Sequence, residues 1–467
     1  MSADSTRSEG SNRAEDLAPS GARDARDAPC SEVGDALRGA LYEKSLDCVH
    51  CGLCLTSCPT YRATGRETAS PRGRIYLMRG LAEGRLESSE LLEEEAFLCL
   101  GCRACETACP SGVQYGQMLE QTRAIVRSSQ DKLGFAESIE RFALREIVPK
   151  PGRLKVLVGL LGIVQKLGLD KLATKVLPPR LSEMTALLPA IPPAPERKRM
   201  PPLTSAVGKR RGRVALFEGC VMPEFFGRVN EASRLVLSRA GYEVIVPQNQ
   251  GCCGALQAHS GDLDFARGLA EENLQAFGGE LGEIDAIIVT SAGCSAAFRE
   301  AEHWIGEAGG VLSNGVRDIL EFLDEVGVDV QVEDEAEVDL NRDRSMNPTT
   351  RTVCYDDPCH LIHAQGIAAG PRRLLEAIPS LQLIPHANPE ACCGAAGIYN
   401  LTQPDMSKRV LSPKLDSLIE AGPDLVATAN PGCAMQLESG LRQRGLSTRV
   451  VHPIELLEEA TRPSTLP

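Results

Sequence analysis

Two runs of four cysteines share one spacing, and each run is followed directly by a proline. The spacing in both is C-x2-C-x2-C-x3-C-P, and the second run repeats the first 51 residues further along the chain. The first run consists of Cys48, Cys51, Cys54 and Cys58, and the second consists of Cys99, Cys102, Cys105 and Cys109. Thiolates are strong ligands for iron and zinc, so this pattern predicts a metal or metal-cluster site.

The spacing is typical of the bacterial ferredoxin run, in which three cysteines wrap one [4Fe–4S] cluster and the fourth ligates the other cluster. We therefore predict two clusters with crossed ligands and single-electron transfer between them. One ligand set is Cys48, Cys51, Cys54 and Cys109, and the other is Cys58, Cys99, Cys102 and Cys105. Zinc sites or disulfides are the alternatives, but zinc sites usually use pairs of C-x2-C rather than runs of four.

The C-terminal half contains an internal duplication marked by cysteines. Three landmarks recur after 139, 140 and 139 residues, and such a constant period is evidence for tandem repeats. The landmarks of the first copy are Cys220, Cys252-Cys253-Gly254 and Cys294; those of the second are Cys359, Cys392-Cys393-Gly394 and Cys433.

Strand-like and helix-like segments alternate through both copies, which predicts a parallel sheet in each. In each copy the first and last cysteines follow predicted strands. Because ligands gather at the carboxyl ends of parallel strands, we expect four sulfurs per copy to converge. They could hold an additional iron–sulfur cluster, act in thiol–disulfide chemistry, or be buried small hydrophobic residues. A recurring Cys-Cys-Gly is hard to explain by packing alone. His360 and His363 follow Cys359 and could line the second site or be ordinary polar groups near a loop.

The predicted fold class is α+β and multidomain: an N-terminal α-helical domain with two [4Fe–4S] clusters, then two tandem α/β cysteine-rich domains. We predict a disordered tail over 1–34, since this stretch has few large apolar residues. The cluster domain then spans 35–148, a helical connector with a Pro-rich linker 149–212, and the two cysteine-rich domains 213–345 and 346–462.

Within the cluster domain, helices are predicted over Ile75–Leu81, Glu90–Leu98 and Gln117–Arg127. Arg72, Arg74 and Arg79 could neutralise part of the negative charge of the clusters, or could be solvated charges on a helix face. The sequence leaves these two interpretations open.

The connector contains an apolar segment, Lys155–Leu169, flanked by basic residues. It is too short to span a bilayer. Such a helix can lie at a membrane interface, but packing on the cluster domain or on a partner subunit is the interpretation that we favour.

Composition limits the class of protein. The net charge of −13 argues against nucleic-acid binding. The sequence has no apolar stretch of about 18 residues, so no transmembrane helix is expected, and it shows no secretory signal. Its 18 cysteines then indicate a reducing compartment. We expect the cytoplasm, with peripheral contact at the inner face of the cell membrane as an option.

The Cys-Cys-Gly repeats resemble those of the cysteine-rich subunit of heterodisulfide reductase. That family's pattern closes with C-x2-C, whereas here Ser295-Ala296-Ala297 follows Cys294 and Ala434-Met435-Gln436 follows Cys433. The missing cysteines argue against the five-cysteine noncubane cluster of that family.

The whole layout is similar to the iron–sulfur subunit of glycolate oxidase (glycolate dehydrogenase), from about Leu41 to Leu457. The matching segments are Ser70-Pro71-Arg72-Gly73-Arg74, Asp357-Pro358-Cys359-His360, the stretch from Cys392 to Asn400, and Asn430-Pro431-Gly432-Cys433.

This resemblance implies an electron-transfer subunit. A flavin-containing partner would oxidise glycolate to glyoxylate, and this chain would pass the electrons toward a quinone-type acceptor. The absence of a Gly-rich dinucleotide fingerprint and of a nucleotide-phosphate loop agrees with substrate chemistry on a partner. The alternatives are the equivalent subunit for lactate or glycerol 3-phosphate, and a thiol–disulfide reductase like the heterodisulfide enzyme.

Overall fold

The computed structural model of the chain describes residues 30–130, 134–169, 182, 185, 187–279, 282–330 and 350–463. A helical N-terminal domain is followed by two domains that each contain a sheet with helices around it. This arrangement confirms the predicted α+β multidomain fold class.

The N-terminal domain packs short helices around the two cysteine runs. Leu41, Ile75, Met78, Leu92 and Met118 are buried in its core, so the helices that carry them enclose the cysteines. The helices are Cys30–Leu46, Pro59–Thr64, Pro71–Ala82, Glu90–Leu98, Ala104–Thr107 and Tyr115–Ser128.

The first helix begins at Cys30, so the predicted tail over 1–34 is wrong for its last residues. Val33, Leu37 and Leu41 lie four residues apart, and this helical period continues toward the N-terminus from the buried Leu41. The remainder of the predicted tail, 1–29, lies outside the described residues.

The helix Pro71–Ala82 starts at a defined cap. The Ser70 hydroxyl accepts a hydrogen bond from the Gly73 amide at 3.0 Å, and Pro71 occupies the first helical position. A Cβ on Gly73 would lie 1.9 Å from the Glu67 carbonyl oxygen. This close approach requires glycine in the Ser-Pro-Arg-Gly-Arg segment.

The predicted cluster domain ends with the helix Phe135–Phe142 and a π-helical turn Ala143–Ile147, and the helix Pro151–Lys166 begins the predicted connector. Leu154 and Val158 of the last helix are buried, whereas Val156, Leu160 and Ile163 are 64%, 57% and 55% exposed. One face of this helix therefore packs on the protein and another presents apolar side chains. In the described ranges, no helix has both the length and the apolar character needed to cross a membrane.

The first repeat has a five-stranded sheet in the order β1-β3-β2-β4-β5. Strand β1 is antiparallel to β3, and the other neighbours are parallel. The strands are β1 (Leu203–Thr204), β2 (Gly212–Phe217), β3 (Tyr242–Ile245), β4 (Ala286–Val289) and β5 (Val316–Asp318). Its α-helices are Met222–Phe225, Gly227–Arg239, Ala255–His259, Leu263–Gly278, Ala292–Arg299, Ala301–Ile305, Gly310–Gly315 and Ile319–Val326.

The second repeat has a parallel four-stranded sheet in the order β7-β6-β8-β9. The strands are β6 (Arg351–Tyr355), β7 (Leu381–Leu383), β8 (Leu425–Ala427) and β9 (Arg449–Val451). Its α-helices are Cys359–Gln365, Ala369–Glu376, Tyr399–Thr402, Pro404–Ala421, Pro431–Gln443 and Pro453–Ala460.

The two repeats share one hydrophobic core. Leu216 of β2 and Tyr355 of β6 belong to the same buried cluster, as does Ile454. His452 also joins the copies, because its Nε2 lies 3.0 Å from the Thr290 carbonyl oxygen. This packing fixes the cysteine sites of the two copies relative to each other.

Strand β1 lies inside the stretch 149–212 that the sequence assigned to a connector, so the sheet begins earlier than predicted. The strand has only two residues and pairs with Val244 and Ile245 at the sheet edge. Such a short edge strand leaves no periodic pattern in the sequence. The predicted boundary between the repeats, 345/346, lies outside the described residues.

Candidate functional site

Five cysteines from the two runs line a first cavity, whose volume of about 420 Å³ includes space that is open to solvent. Four of them are Cys48, Cys51, Cys54 and Cys109, the predicted crossed set, and the fifth is Cys105. Cys51 is exposed, so this cavity lies at the protein surface.

The other predicted set, Cys58, Cys99, Cys102 and Cys105, lines a second and smaller cavity of about 290 Å³. Three of these cysteines are at most 9% exposed. The second cavity is therefore more buried than the first.

The loops of the two runs have the same backbone conformation. His50 and Gly52 flank the second cysteine of the first run, and Gly101 and Arg103 flank that of the second. All four residues have positive φ, with values of 54°, 87°, 62° and 63°. Left-handed residues within a turn direct successive N–H groups to one side, which makes a concave site for an anionic group such as an iron–sulfur cluster. His50 and Arg103 adopt this conformation without being glycine, at a cost of about 1–3 kcal/mol each.

Two buried arginines hold groups around the second cavity, and one of them, Arg74, lines it. Arg74 is 2% exposed and donates to the Thr60 hydroxyl at 3.1 Å, which itself lies 3.3 Å from the Cys58 sulfur. Burial raises the pKa of the Cys58 thiol, and the Arg74 charge opposes that shift. Arg123 donates to the carbonyl oxygens of Ala96 and Cys99.

The three arginines that the sequence singled out have different positions. Arg74 lines the second cavity and Arg72 lines the first, where Arg72 also pairs with Glu67 at 2.7 Å. Arg79 instead holds the Ser45 hydroxyl at 3.1 Å and the Ser45 carbonyl. Two of the three are thus placed beside thiols. Arg123 was missed, because one arginine on a helix has no distinctive spacing.

The four cysteines of the first repeat form a chain of contacts. The Cys253 and Cys294 sulfurs lie 3.2 Å apart, too far for a disulfide, and Cys252 is hydrogen-bonded to Cys220 and to Cys253. Cys220 and Cys294 follow β2 and β4, so the ends of two adjacent strands bring them together.

The second repeat brings its four cysteines together in the same order. Cys392 is hydrogen-bonded to Cys359 and Cys393, and Cys393 is hydrogen-bonded to Cys433. Hydrogen bonds from Cys392 and Cys433 lower the pKa of the Cys393 thiol, and the positive charge of Lys414 acts in the same direction.

The glycine of each Cys-Cys-Gly is required by the backbone. Gly254 and Gly394 have φ of 84° and 82°. A Cβ would lie 3.0 Å from the Ala266 carbonyl oxygen in the first copy and 2.7 Å from that of Ser407 in the second. The loop therefore presses against the following helix and turns both cysteines toward the site.

Two neighbouring thiols connect the N-terminal domain with the second repeat. Cys102 of the second run lies in one buried cluster with Cys392, and the interaction with the Cys392 thiol lowers the pKa of Cys102. The Tyr399 hydroxyl donates to the Leu98 carbonyl at 2.7 Å and fixes this interface. The second cavity is thus in contact with the cysteine site of the second repeat.

A polar cavity lies where the three domains meet, and no sequence pattern indicated it. Arg103, Glu120, His259, Glu300 and His360 line it. Arg103 pairs with Glu300 at 2.5 Å, and His259 lies 3.3 Å from Glu120. Burial raises the pKa of Glu300 to about 7.

The two histidines after Cys359 have separate environments. The His360 ring stands 5.4 Å from that of His259, and His360 Nδ1 lies 3.5 Å from the Cys359 sulfur. His363 bonds to Thr107 at 3.0 Å and to the Glu390 carbonyl at 3.2 Å. His360 is therefore the one that adjoins the thiol site.

Among the described residues, no three His, Cys, Asp or Glu side chains are arranged around a single metal ion. The sulfurs of the two runs line cavities instead. Ligands of a cubane cluster stand around a group of atoms rather than one ion, and thiols that line a cavity fit such an arrangement.

Comparison with known protein families agrees with this layout. A 4Fe-4S dicluster domain matches residues 44–113, and a cysteine-rich domain matches 214–299 and 353–438. The linker region of glycolate oxidase iron-sulfur subunits matches 136–188.

Individual relatives match most of the chain. The probable glycolate oxidase iron-sulfur subunit of Bacillus subtilis is 37% identical over 423 residues, which cover 89% of this chain and 94% of the relative. The glycolate oxidase iron-sulfur subunit of Escherichia coli is 33% identical over 422 residues, covering 88% and 93%. A subunit of the fumarate reductase (CoM/CoB) of Methanothermobacter marburgensis is 26% identical, covering 90% and 73%. The chain belongs to the family of glycolate oxidase iron-sulfur subunits.

Proposed function

We propose that this chain relays electrons from a flavin-containing subunit, which oxidises glycolate to glyoxylate, toward a quinone-type acceptor. The observation that carries this proposal is the contact between the two cysteine-lined cavities. Pro71, Cys105 and Tyr115 line both of them. Two redox centres separated by one layer of side chains are close enough for electrons to pass between them.

We assign Cys48, Cys51, Cys54 and Cys109 to one [4Fe–4S] cluster and Cys58, Cys99, Cys102 and Cys105 to the other. The residues present fit such clusters: four thiols, an inward-facing backbone and a nearby cation meet at each cavity. A bound cluster of this kind supplies one-electron transfer.

The residues of this chain hold and tune the two sites. Arg72 and Arg74 place positive charge beside the thiolates and so offset their negative charge. Tyr115 donates to the Cys99 sulfur at 3.6 Å. Hydrogen bonds to cluster sulfurs and burial both influence the reduction potential of a cluster. Clusters held in the two cavities should therefore differ in reduction potential.

The partner would bind at the exposed apolar side chains of the helices between residues 135 and 166. Phe135 is 83% exposed and Phe142 is 59% exposed, and Val156 and Leu160 are exposed on the next helix. Apolar surfaces of this kind favour an interaction site. The basic residues Lys150, Arg153 and Lys166 would also suit peripheral contact with an anionic membrane surface on the cytoplasmic side.

A second candidate is the equivalent subunit of a lactate-oxidising complex. Lactate utilization protein A of Exiguobacterium is 28% identical over 262 residues, covering 53% of this chain and 98% of the relative. The higher identity and fuller coverage of the glycolate oxidase subunits favour glycolate.

The experiment is dye-linked oxidation by the assembled complex, with glycolate, lactate and glycerol 3-phosphate compared as substrates. Cys54→Ser should abolish glycolate oxidation while flavin stays bound to the partner. Cys30→Ser, outside both runs, is the matched control and should retain activity. Undiminished activity of the Cys54→Ser complex would exclude the relay, and a preference for lactate would favour the second candidate.

A further inference from the structure

The two repeats differ at one position beside their thiols. Three residues before the first cysteine of each repeat, the first copy has Phe217 and the second has Asp356. Phe217 packs edge-on against Phe298, with ring centroids 4.8 Å apart. Asp356 is 1% exposed and is paired with Lys414, which is 3% exposed. The second repeat therefore contains a buried ion pair where the first has aromatic packing.

The residue at the position of Lys414 also differs between the two copies, and again only the second copy has a charge there. Lys414 lies seven residues after Ser407, whose carbonyl contacts the glycine of the second Cys-Cys-Gly. The equivalent residue in the first copy, seven after Ala266, is Asn273. Asn273 donates to the Cys252 carbonyl at 2.8 Å, and Lys414 donates to the Pro389 carbonyl at 3.0 Å. Both side chains hold the cysteine loop, but only Lys414 carries charge.

Both members of the ion pair act electrostatically on the second repeat's thiols. The Lys414 charge interacts with Cys393 and Cys433, and the Asp356 charge interacts with the same two cysteines. His386 lies 3.8 Å from Asp356, and burial lowers its pKa to about 4, so it is neutral near pH 7. In a buried environment such charges act strongly on neighbouring groups.

We infer that Lys414 and Asp356 set the reduction potential of a redox centre held by the second repeat's thiols. This centre accepts electrons from the cluster assigned to the cavity that Cys102 lines. The inference rests on the proposed function. One electron leaves the centre at Cys58, Cys99, Cys102 and Cys105, which is oxidised, and enters the second repeat's centre, which is reduced. No bond is made and no proton moves.

The route follows from the packing of Cys102 and Cys392 in one buried cluster between the two domains. The thiols of the first repeat instead contact one another and Gln257, whose amide donates to the Leu144 carbonyl of the π-helical turn Ala143–Ile147. The position of Cys392 beside Cys102 and the charges of Lys414 and Asp356 both favour the second repeat as the electron acceptor.

The test is a redox titration of the assembled complex, followed by electron paramagnetic resonance, with iron content measured on the same samples. The titration is run at about pH 8.5, because burial raises the pKa of Asp356 to about 7 and its carboxylate must carry a full charge. Cys393→Ser should remove one signal beyond those of the two ferredoxin-type clusters, whereas Cys253→Ser should leave that signal in place. Lys414→Met should shift the midpoint potential of this signal downward, because a positive charge that stabilises the added electron is lost. Asp356→Asn should shift it upward.

Opposite shifts are the critical result, since a purely structural role would move both variants the same way. The double variant Lys414→Met/Asp356→Asn removes both charges, so its midpoint potential should lie between those of the two single variants. It also provides a measurement if either single variant does not fold. Phe217→Leu is the matched control in the first repeat and should leave the potential unchanged.

Shifts of equal sign, no shift, or no signal lost in Cys393→Ser would overturn the inference. Reduction of the two ferredoxin-type signals by glycolate, recorded in every variant, tests the proposed function separately. If those signals respond and the Lys414 and Asp356 variants do not, the relay stands and the inference fails.

Discussion

Cys102 and Cys392 lie together in one buried cluster, although the two residues belong to different domains. Cys102 also lines the second cavity of the N-terminal domain. The buried cluster also contains Leu98, Leu100 and Tyr399. The N-terminal cysteine sites and the C-terminal repeats are therefore parts of one continuous arrangement.

Crossed ligation can be tested by replacing the fourth cysteine of each run with serine. We predict that Cys109→Ser alters the same cluster signal as Cys54→Ser, because both residues line the first cavity. Cys58→Ser should alter the same signal as Cys99→Ser. Electron paramagnetic resonance of the reduced protein measures both. If Cys109→Ser matched Cys99→Ser instead, each run would hold its own cluster.

The glycine of the second Cys-Cys-Gly should be intolerant of a side chain. Gly394→Ala places a residue other than glycine at φ 82°, which costs about 1–2 kcal/mol, and adds a Cβ 2.7 Å from the Ser407 carbonyl oxygen. We expect a clear fall in melting temperature. Gly422→Ala is the matched control, since φ is also positive but the nearest atom is 4.0 Å away. Equal losses for the two variants would mean that the close contact is unimportant.

The interface between the domains depends on one tyrosine hydroxyl. Tyr399→Phe removes the 2.7 Å hydrogen bond to the Leu98 carbonyl and leaves that buried oxygen unpaired, which should destabilise the protein by about 1–3 kcal/mol. Thermal melting measures the loss. Tyr76→Phe, at a ring that is 56% exposed, should change stability by less than about 0.5 kcal/mol. A Tyr399→Phe protein as stable as this control would contradict the assigned role.

His452 should make stability depend on pH. Burial lowers its pKa to about 3, below the unfolded value of about 6.5, so the unfolded chain binds more protons between these values. Its contribution is therefore complete above pH 6.5 and is lost as the pH falls toward 3. From pH 7.5 to 5.5 the loss is about 1.4 kcal/mol. In His452→Asn, which retains a capping side chain, melting temperature should fall less over this range. An unchanged pH dependence would exclude His452 as a cause.

Features that leave a recurring pattern in the sequence could be predicted from it, whereas features that depend on one residue could not. The repeated Cys-Cys-Gly marked the cysteine sites because a rare residue type recurred at one spacing. The strands predicted before the first and last cysteines of each repeat are present as β2, β4, β6 and β8. Lys414 and Arg123 on helices, and Glu300 between two helices, could not be found in this way, because the sequence around a single charged residue is the same whether it is solvated or buried. Their roles depend on neighbours that are distant in sequence.

The central claim is that electrons from substrate enter the two cysteine-lined cavities of the N-terminal domain. The most direct measurement is rapid-freeze electron paramagnetic resonance of the assembled complex mixed with glycolate under anaerobic conditions. We predict that two magnetically interacting [4Fe–4S] signals appear as the flavin is reduced, because the cavities share Cys105 and Tyr115 in their walls. A reduced flavin that passes its electrons to the acceptor while both clusters stay oxidised would contradict the account.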